Sequence, residues 1–296
     1  MHASSPSKTP SVRAEAADAP LVSVGLPVYN GERFLRGAID SILTQSLTNF
    51  ELIISDNASS DGTWKICQEY AAGDRRIRCF RHPSNLGLPH NWNFTVAQAR
   101  GQFFKWATAN DLCAPNLLAN CVKVLEIQPE VVLCYGRTTL IDEDDRALGV
   151  WQDDRPLLDA SPSERFKTAC YEMSLNNAIS GVCRLSVLRG TGLIRPYQGS
   201  DAVIMGELAL AGHFWMLPEV LLQRRMGPET FSACRSPEEI RKMHDPKASG
   251  RFDLTKYRKQ LDLICLILRA PGLGVAERSC ALIAAVRHAY WALGAR

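Results

Sequence analysis

The segment 21–61 limits the possible folds of this chain more than any other. It contains an apolar, valine-rich run at residues 21–26, apolar residues at helical spacing within 32–45, and a second apolar run at 50–54. This spacing predicts a buried strand, a helix and a second buried strand. We expect the first strand to end at Pro27, because proline lacks a backbone N–H. A connection this short implies parallel strands and a right-handed crossover.

Each of these two strands is followed by a polar turn. The first turn runs from Pro27 to Glu32, and the second runs from Asp56 to Asp61. In open α/β sheets, ligands bind beyond the carboxyl ends of the strands. The sequence therefore predicts that both turns line one binding site.

The rest of the chain predicts one large domain followed by a helical extension. Strands alternate with helices up to about residue 225, which indicates an α/β fold with a mostly parallel central sheet and helices on both faces. After Met226 only helical spacing recurs. We therefore expect a disordered tail at 1–20, a domain at 21–230 and a helical C-terminal extension at 231–296. The tail is rich in Ser, Pro and Ala and lacks the apolar segment of a signal peptide.

Composition argues against several classes of protein. The net charge is only +3, which gives no case for a nucleic-acid partner. The 10 cysteines include no C-x-x-C pair, so a zinc site is not expected. Several of them lie within apolar runs, as buried free thiols do, and free thiols indicate a reducing cytoplasm. No apolar run is long enough to span a bilayer.

The last helical segment, residues 275–293, has two interpretations. Its apolar residues lie next to Arg278, Arg287 and His288. In the first interpretation the helix packs against the domain. In the second it lies on a membrane surface, which would place a cytoplasmic protein at the inner face of the membrane.

Four short sequences occur in an order that resembles a known family. They are PVYNGE at 27–32, ELIISDNASSDGT at 51–63, Asn85-Leu86-Gly87 and the stretch 101–115. Their order and spacing resemble the nucleotide-sugar half of family-2 glycosyltransferases, which have the GT-A fold. The resemblance extends, more weakly, to about Arg225.

The resemblance implies a specific activity. Family members move a sugar from a nucleoside diphosphate to an acceptor hydroxyl by an inverting single displacement. It implies a UDP- or dTDP-sugar donor, a glycan or lipid-linked acceptor, and a role in surface glycan or polysaccharide biosynthesis. The alternative is a catalytically degenerate protein that binds a nucleotide-sugar without transferring it.

The resemblance also assigns the donor site. It assigns Asp56 to a uracil or thymine base, whereas the alternative for this residue is an acceptor in an Asx-turn. Glu32 is also a carboxylate favoured at a helix N-terminus, and Asn91 is a candidate N-cap. The other predicted donor residues are Pro27, Tyr29, Asn30, Asn57, Asp61, Asn85, Gly87 and Arg225, of which Asn57 and Asp61 are also suited to shaping their turn.

A metal site is expected at Thr108-Ala109-Asn110-Asp111, but in a weakened form. Family members usually carry D-x-D-D here, so Asn110 and Asp111 are the predicted ligands of Mn²⁺ or Mg²⁺. The amide of Asn110 carries no charge, and affinity for a hard cation should fall. Gly227 stands where relatives often have a histidine. These two departures put metal dependence in doubt, and Arg224 or Arg225 is an alternative source of positive charge, or only a structural residue at a strand end.

The predicted catalytic base is Asp201, in Gly199-Ser200-Asp201. It matches the family position that opens a helix on the acceptor side, where a carboxylate can take the proton of the attacking hydroxyl. The competing interpretation is a helix-capping aspartate. Glu207, in the same helix, is the second candidate for the base.

Overall fold

The structure is a computed structural model that describes residues 19–228, 230, 236–247, 255–271 and 273–294. Of the tail predicted at 1–20, residues 1–18 lie outside the described residues. The predicted helical extension at 231–296 is described in part.

A nine-stranded sheet forms the centre of the described structure. Its strands are β1 (Val22–Val28), β2 (Phe50–Asp56), β3 (Ile77–Arg81), β4 (Phe103–Trp106), β5 (Leu112–Cys113), β6 (Val131–Ile141), β7 (Ala147–Val150), β8 (Val182–Arg184) and β9 (His213–Arg225). They lie in the order β3-β2-β1-β4-β8-β6-β9-β5, with β7 paired to β6.

Ten α-helices connect or flank these strands in the described ranges. They are α1 (Glu32–Leu43), α2 (Thr63–Gly73), α3 (Leu88–Gln98), α4 (Leu117–Ile127), α5 (Pro162–Tyr171), α6 (Leu185–Arg189), α7 (Ser200–Ala211), α8 (Pro237–His244), α9 (Thr255–Arg269) and α10 (Val275–Gly294). A short 3₁₀ turn, Asn177–Ser180, precedes β8.

The pairing of the strands confirms the α/β fold class and adds detail. The strands β3, β2, β1 and β4 are parallel, as the strand–helix–strand pattern predicts, and β6 is parallel to β9. The shorter strands β5, β7 and β8 pair antiparallel to their neighbours. The parallel half of the sheet therefore carries the two polar turns at one edge.

The strand β1 does not stop at Pro27, contrary to the sequence-based expectation. It continues to Val28, and Pro27 is paired in register with Ser55 of β2. The carbonyl of Gly25 accepts from the N–H of Ala107 on the side of β4, and alternation places the nitrogen of Pro27 on that same side. Because β4 ends at Trp106, no partner there requires an N–H from the proline.

Apolar side chains bury both faces of the sheet. On one face, β1 and β2 pack against Leu35, Ile39 and Ile42 of α1 and against residues of α2 and α4. On the other face, Phe104 and Trp106 pack with residues of α3, α6 and α7. The predicted helices on both faces are confirmed. Packing on both faces holds the polar edge of the sheet in place.

The helices α9 and α10 pack against the domain. Leu263, Ile267, Ala281 and Ala285 are buried in a third cluster with residues of α5 and α7. This is the first of the two interpretations of the C-terminal segment. Within the described ranges, no helix combines the length and apolarity needed to cross a bilayer.

Candidate active site

Two cavities meet at the carboxyl ends of the parallel strands. The larger cavity, of about 640 Å³, is bounded by the turn after β1, by Asn57 after β2 and by Thr108 and Asn110 after β4. The smaller cavity, of about 290 Å³, is bounded by Asp111, Asp201 and Arg224. The two share part of their walls, including Trp92, Thr108 and Asn110.

The structure brings most of the predicted site residues to these two cavities. Those that line the larger cavity are Pro27, Tyr29, Asn30, Asn57, Asn85, Asn91 and Asn110. Asp111 and Asp201 line the smaller one. The side chains of Glu32 and Asp61, together with Asp56, Gly87 and Arg225, lie outside the two cavity walls, and each has another role in the local structure.

Hydrogen bonds join the turn after β1 to the turn after β2. The carboxylate of Glu32 accepts from the Gly62 N–H at 2.8 Å, while the Glu32 N–H donates to Asp61 at 3.2 Å. The side chain of Asn30 accepts from the Ser60 N–H at 2.9 Å. Glu32 and Asp61 therefore hold the two turns together, and Glu32 lies in the first turn of α1 as a helix N-terminus favours.

A tight loop forms between Asn85 and Gly87. Asn57 donates to Asn85 at 2.9 Å and accepts from the Leu86 N–H at 2.9 Å. Gly87 has a φ of +85°, and a Cβ at this position would lie 2.6 Å from the carbonyl oxygen of His244. Glycine is required here because both the backbone conformation and the close approach of α8 exclude a side chain.

Asn91 is not the N-cap of its helix, because α3 begins at Leu88 with Gly87 at the capping position. Its side chain is buried and donates to the carbonyls of Val28 and Ser55 at 3.2 and 3.0 Å. It also accepts from the Ser55 hydroxyl at 2.6 Å. Asn91 thus ties α3 to the ends of β1 and β2 beneath the larger cavity.

Asp56 is fully buried at the end of β2. Its Oδ1 accepts from the Ser59 N–H at 3.1 Å, which is the Asx-turn interpretation of this residue. Its Oδ2 lies 3.2 Å from Arg81 Nε but has no hydrogen-bond partner of good geometry among the described residues. One oxygen thus shapes the turn, and the other is ion-paired with Arg81 without a well-aligned hydrogen bond.

Arg225 does not contact the larger cavity, and the geometry does not support its predicted contact with the donor. Its side chain is almost fully buried, and its guanidinium donates to the carbonyl oxygens of Asn110 and Asp142 at 3.0 and 2.7 Å. It also pairs with Asp145 and lies over the ring of Phe34. Arg225 holds the Asn110–Asp111 turn from behind.

The residues at the predicted metal site do not form a set that fits Mn²⁺ or Mg²⁺. The amide nitrogen of Asn110 donates to Asp111 Oδ1 at 3.0 Å, and the Arg225 N–H donates to the same oxygen at 2.9 Å. Burial raises the pKa of the Asp111 carboxyl. Among the described residues, no group of three or more His, Cys, Asp or Glu side chains lies close enough to hold a metal. A single buried carboxylate and a neutral amide are a poor ligand set for a hard cation.

Asp201 lies in the wall of the smaller cavity. The helix α7 begins at Ser200 with Gly199 at the N-cap, so Asp201 is not the capping residue. Its Oδ2 accepts from the amide of Asn176 at 3.0 Å, and its side chain lines the smaller cavity. Glu207, the second candidate, pairs with Arg195 at 2.8 Å and lies outside both cavity walls.

Arg224 fixes the loop opposite Asp201. Its Nη1 donates to the Leu175 carbonyl at 2.6 Å and to Asn177 Oδ1 at 2.7 Å. These bonds flank Asn176, which contacts Asp201. Of the two arginines considered from the sequence, Arg224 is the one that lines a cavity.

The helix α8 is a part of the site that the sequence analysis did not assign to it. Lys242, Met243 and Pro246 line the larger cavity, while Met243 and His244 line the smaller one. The sequence signal of this helix is a capping box at Ser236 and Glu239, which predicts a helix but not its position. The predicted helical C-terminal extension thus contributes α8 to the walls of both cavities.

Comparisons with known proteins agree with this fold. The chain of S. aureus TarS bound to UDP-GlcNAc superposes with a TM-score of 0.67 at 17% identity, over 92% of this chain and 72% of that one. A mannosyltransferase from Pyrobaculum calidifontis, with GDP-Man and Mn²⁺, gives a TM-score of 0.52 at 17% identity, over 92% and 88% of the two chains. These similarities show the GT-A fold.

The sequence relatives of this chain are also named glycosyltransferases. An uncharacterized glycosyltransferase of Rickettsia typhi is 34% identical over 130 residues, which cover 44% of this chain and 40% of that protein. One of Haemophilus influenzae is 24% identical over 266 residues, or 86% of this chain and 79% of the relative. The profile of glycosyl transferase family 2 matches residues 23–185, more than half of the chain. The chain therefore belongs to glycosyl transferase family 2.

Proposed function

We propose that this chain is a glycosyltransferase that binds a nucleoside diphosphate sugar in the larger cavity and an acceptor hydroxyl in the smaller one. The observation that carries the proposal is the position of Asp201. Its carboxylate lines a cavity that shares Thr108 and Asn110 with the cavity built by the turns of β1 and β2. A donor and an acceptor can therefore meet at this junction.

The proposed reaction is a single displacement. The acceptor oxygen attacks C1 of the sugar, and the bond from C1 to the diphosphate oxygen breaks with its electron pair remaining on that oxygen. Asp201 accepts the proton of the attacking hydroxyl. We propose that attack comes from the side opposite the leaving group, so that the anomeric configuration inverts, and the location of Asp201 and of the donor site in different cavities supports this.

Asp56 supports a pyrimidine donor with an imide N–H, such as a UDP- or dTDP-sugar. Its Oδ2 is a buried carboxylate oxygen without a well-aligned donor. It lies at the end of β2, next to Asn57 in the wall of the larger cavity. This oxygen is ion-paired with Arg81 at 3.2 Å, and an N–H from the base would add the well-aligned hydrogen bond that it lacks.

The lining of the smaller cavity indicates the chemical class of the acceptor. The smaller cavity is lined by carboxylate, amide and hydroxyl groups together with apolar side chains, including Leu175 and Ile179. This mixture is suited to the hydroxyl of a sugar, either in a glycan or on a lipid carrier. We place such a transferase in the assembly of surface glycans or polysaccharides.

Metal dependence is expected to be weak. Asn110 and Asp111 offer one carboxylate, and that carboxylate already accepts two N–H groups. Mn²⁺ or Mg²⁺ bound there would neutralise charge on the departing diphosphate. We expect activity to persist in excess chelator.

A donor screen tests the proposed function. Purified protein should bind UDP or dTDP more tightly than CDP, which lacks the imide N–H, and should release nucleoside diphosphate when given the matching sugar donor and an acceptor. Calorimetry measures binding, and a coupled assay measures release. Equal affinity for CDP would contradict base reading by Asp56. Binding of a donor without release or transfer would instead favour the alternative hypothesis, a degenerate nucleotide-sugar-binding protein. The neutral side chain of Asn110 is the reason for that hypothesis.

We also propose that the outer surface of α9 and α10 contacts an anionic membrane. Each helix carries an apolar stripe that faces away from the domain. The exposed apolar side chains are Tyr257, Leu261 and Leu268 on α9, and Val275, Ile283 and Val286 on α10. The exposed charged side chains in the described part of these helices are Arg258, Arg269 and Arg287, whereas the acidic Asp262 and Glu277 are half-buried.

This surface suits a cytoplasmic protein at the inner face of a membrane, because an anionic leaflet attracts basic residues and apolar side chains enter its interface. The nine described cysteines are unpaired, as in a reducing compartment. The protein should sediment with vesicles containing phosphatidylglycerol and not with neutral ones. The double variant Leu261→Ser and Ile283→Ser should lose most of this binding. Sedimentation unchanged by the variant, or dimerisation through this face in solution, would contradict the proposal.

A further inference from the structure

The charges around the larger cavity differ from those of a metal-assisted diphosphate site. Among the described residues that line it, the charged ones are Arg33, Lys242 and Glu239. The carboxylate of Glu239 accepts from the Ser236 N–H at 2.7 Å and belongs to the capping box of α8. The wall of this cavity therefore presents two cations, with its one carboxylate engaged in its own helix.

We propose that Lys242 of α8 binds the diphosphate of the donor directly and supplies the positive charge that a divalent metal would otherwise supply. This inference rests on the proposed function, since it places a nucleoside diphosphate in the larger cavity. In this proposal α8 supplies the positive charge for the diphosphate. The site after β4 cannot hold a metal well enough to supply it, because Asn110 is neutral.

The position of Lys242 is suited to the diphosphate. The next residue, Met243, lines both cavities, so Lys242 lies close to their junction. The junction is where the diphosphate must lie, because C1 of the sugar has to reach the hydroxyl held at Asp201. A cation at this point stabilises the negative charge that develops on the leaving diphosphate.

Lys242 is also available to a ligand. It pairs with Glu238 at 2.8 Å, but this is an exposed pair one helical turn apart, with side-chain exposures of 61% and 63%. Such pairs contribute little, so an anion can displace the partner. Arg33 forms a less exposed pair, with Glu143 at 2.9 Å and side-chain exposures of 46% and 31%.

The side chain of Glu143 fills the space next to Gly227, and this is compatible with a diphosphate site that uses Lys242 and Arg33. A Cβ at Gly227 would lie 2.9 Å from the carboxylate of Glu143, which pairs with Arg33. The Glu143 side chain thus occupies the place that a larger side chain at 227 would need, and it positions Arg33 at the cavity. The C-terminal end of α8 approaches Gly87 so closely that a Cβ there would lie 2.6 Å from the carbonyl oxygen of His244.

Calorimetry with EDTA present tests the role of Lys242. Wild type is titrated with UDP, UMP and uridine, and the variants are Lys242→Gln, Lys242→Arg and the control Lys247→Gln. Lys247 lies just beyond α8, is exposed and lies outside both cavity walls. We expect Lys242→Gln to weaken UDP binding about tenfold to a hundredfold, to weaken UMP less and to leave uridine unchanged, since one charge-assisted contact is lost. Lys242→Arg should retain part of the affinity, and Lys247→Gln all of it.

A second variant tests whether this cation takes the place of a metal. Wild type should bind UDP equally well in EDTA and in Mn²⁺. Asn110→Asp adds a negative charge near the diphosphate, so it should weaken UDP binding in EDTA and recover it when Mn²⁺ is added. Wild-type binding that disappears in EDTA would overturn the proposal.

The outcomes separate this proposal from the proposed function. UDP binding that is unchanged in Lys242→Gln overturns the role of Lys242 alone. A uridine affinity that falls together with that of UDP indicates structural damage instead of a lost charge, and also overturns it. If none of UDP, dTDP, GDP and CDP binds wild type, with or without Mn²⁺, then the donor site itself is wrong and both proposals fail.

Discussion

Asp201→Asn is expected to lower kcat about a hundredfold or more while leaving the affinity for the donor unchanged. The amide has the shape of the carboxylate but cannot accept the proton of the attacking hydroxyl. Its oxygen can still accept from the amide of Asn176, which donates to Asp201 Oδ2 at 3.0 Å, so the side chain should keep its position. Transfer rates at saturating donor and acceptor, together with calorimetry of UDP, measure the two effects.

Glu207→Gln is the matched control for this prediction. Glu207 lies in the same helix α7, but its carboxylate pairs with Arg195 and accepts from the Gly192 N–H at 3.1 Å, outside both cavities. Its loss should lower stability and leave kcat within a few-fold of wild type. Near wild-type transfer by Asp201→Asn would show that another group takes the proton.

Arg225→Ala is expected to lower the free energy of unfolding by about 1–3 kcal/mol, the range for leaving a buried acceptor without its hydrogen-bond donor. The Arg225 side chain is 4% exposed, and its loss leaves the carbonyls of Asn110 and Asp142 without these donors. It also removes the cation packed at 4.3 Å from the centre of the Phe34 ring. Urea denaturation followed by circular dichroism measures the change.

Two variants control for the loss of charge itself. Arg146→Ala removes an arginine that is 75% exposed and pairs with the exposed Asp144, so it should change stability by less than about 1 kcal/mol. Arg225→Lys keeps the charge but cannot reproduce the fork of donors, so it should lie between wild type and Arg225→Ala. A small effect of Arg225→Ala, comparable to that of Arg146→Ala, would refute the structural role given to this residue.

The sequence by itself determined the parallel strand–helix–strand unit and the polar turns at its carboxyl edge. Apolar spacing and turn chemistry act over a few residues, and a short apolar run such as 50–54 strongly favours a buried strand. The family resemblance placed Asp201 where a helix opens, and Asp201 lies in the first turn of α7.

Only the tertiary structure decided which polar side chains face the cavities. Arg224 and Arg225 are neighbours in sequence, yet the first lines the smaller cavity and the second is buried behind Asn110, because alternate residues of a strand point to opposite sides. Pairing with distant partners likewise took Glu207 out of the site and fixed Asn91 inside α3.

The placement of α8 shows the same limit most clearly. Its capping box and helical spacing are local, and they predict that a helix exists. Its docking beside Gly87 depends on contacts between segments more than 150 residues apart, between His244 and the loop after β3. Burial and partner choice are set by such long-range contacts, which no local pattern encodes. That is why the sequence identified the turns of the site, whereas the fold alone brought Lys242 to the cavity.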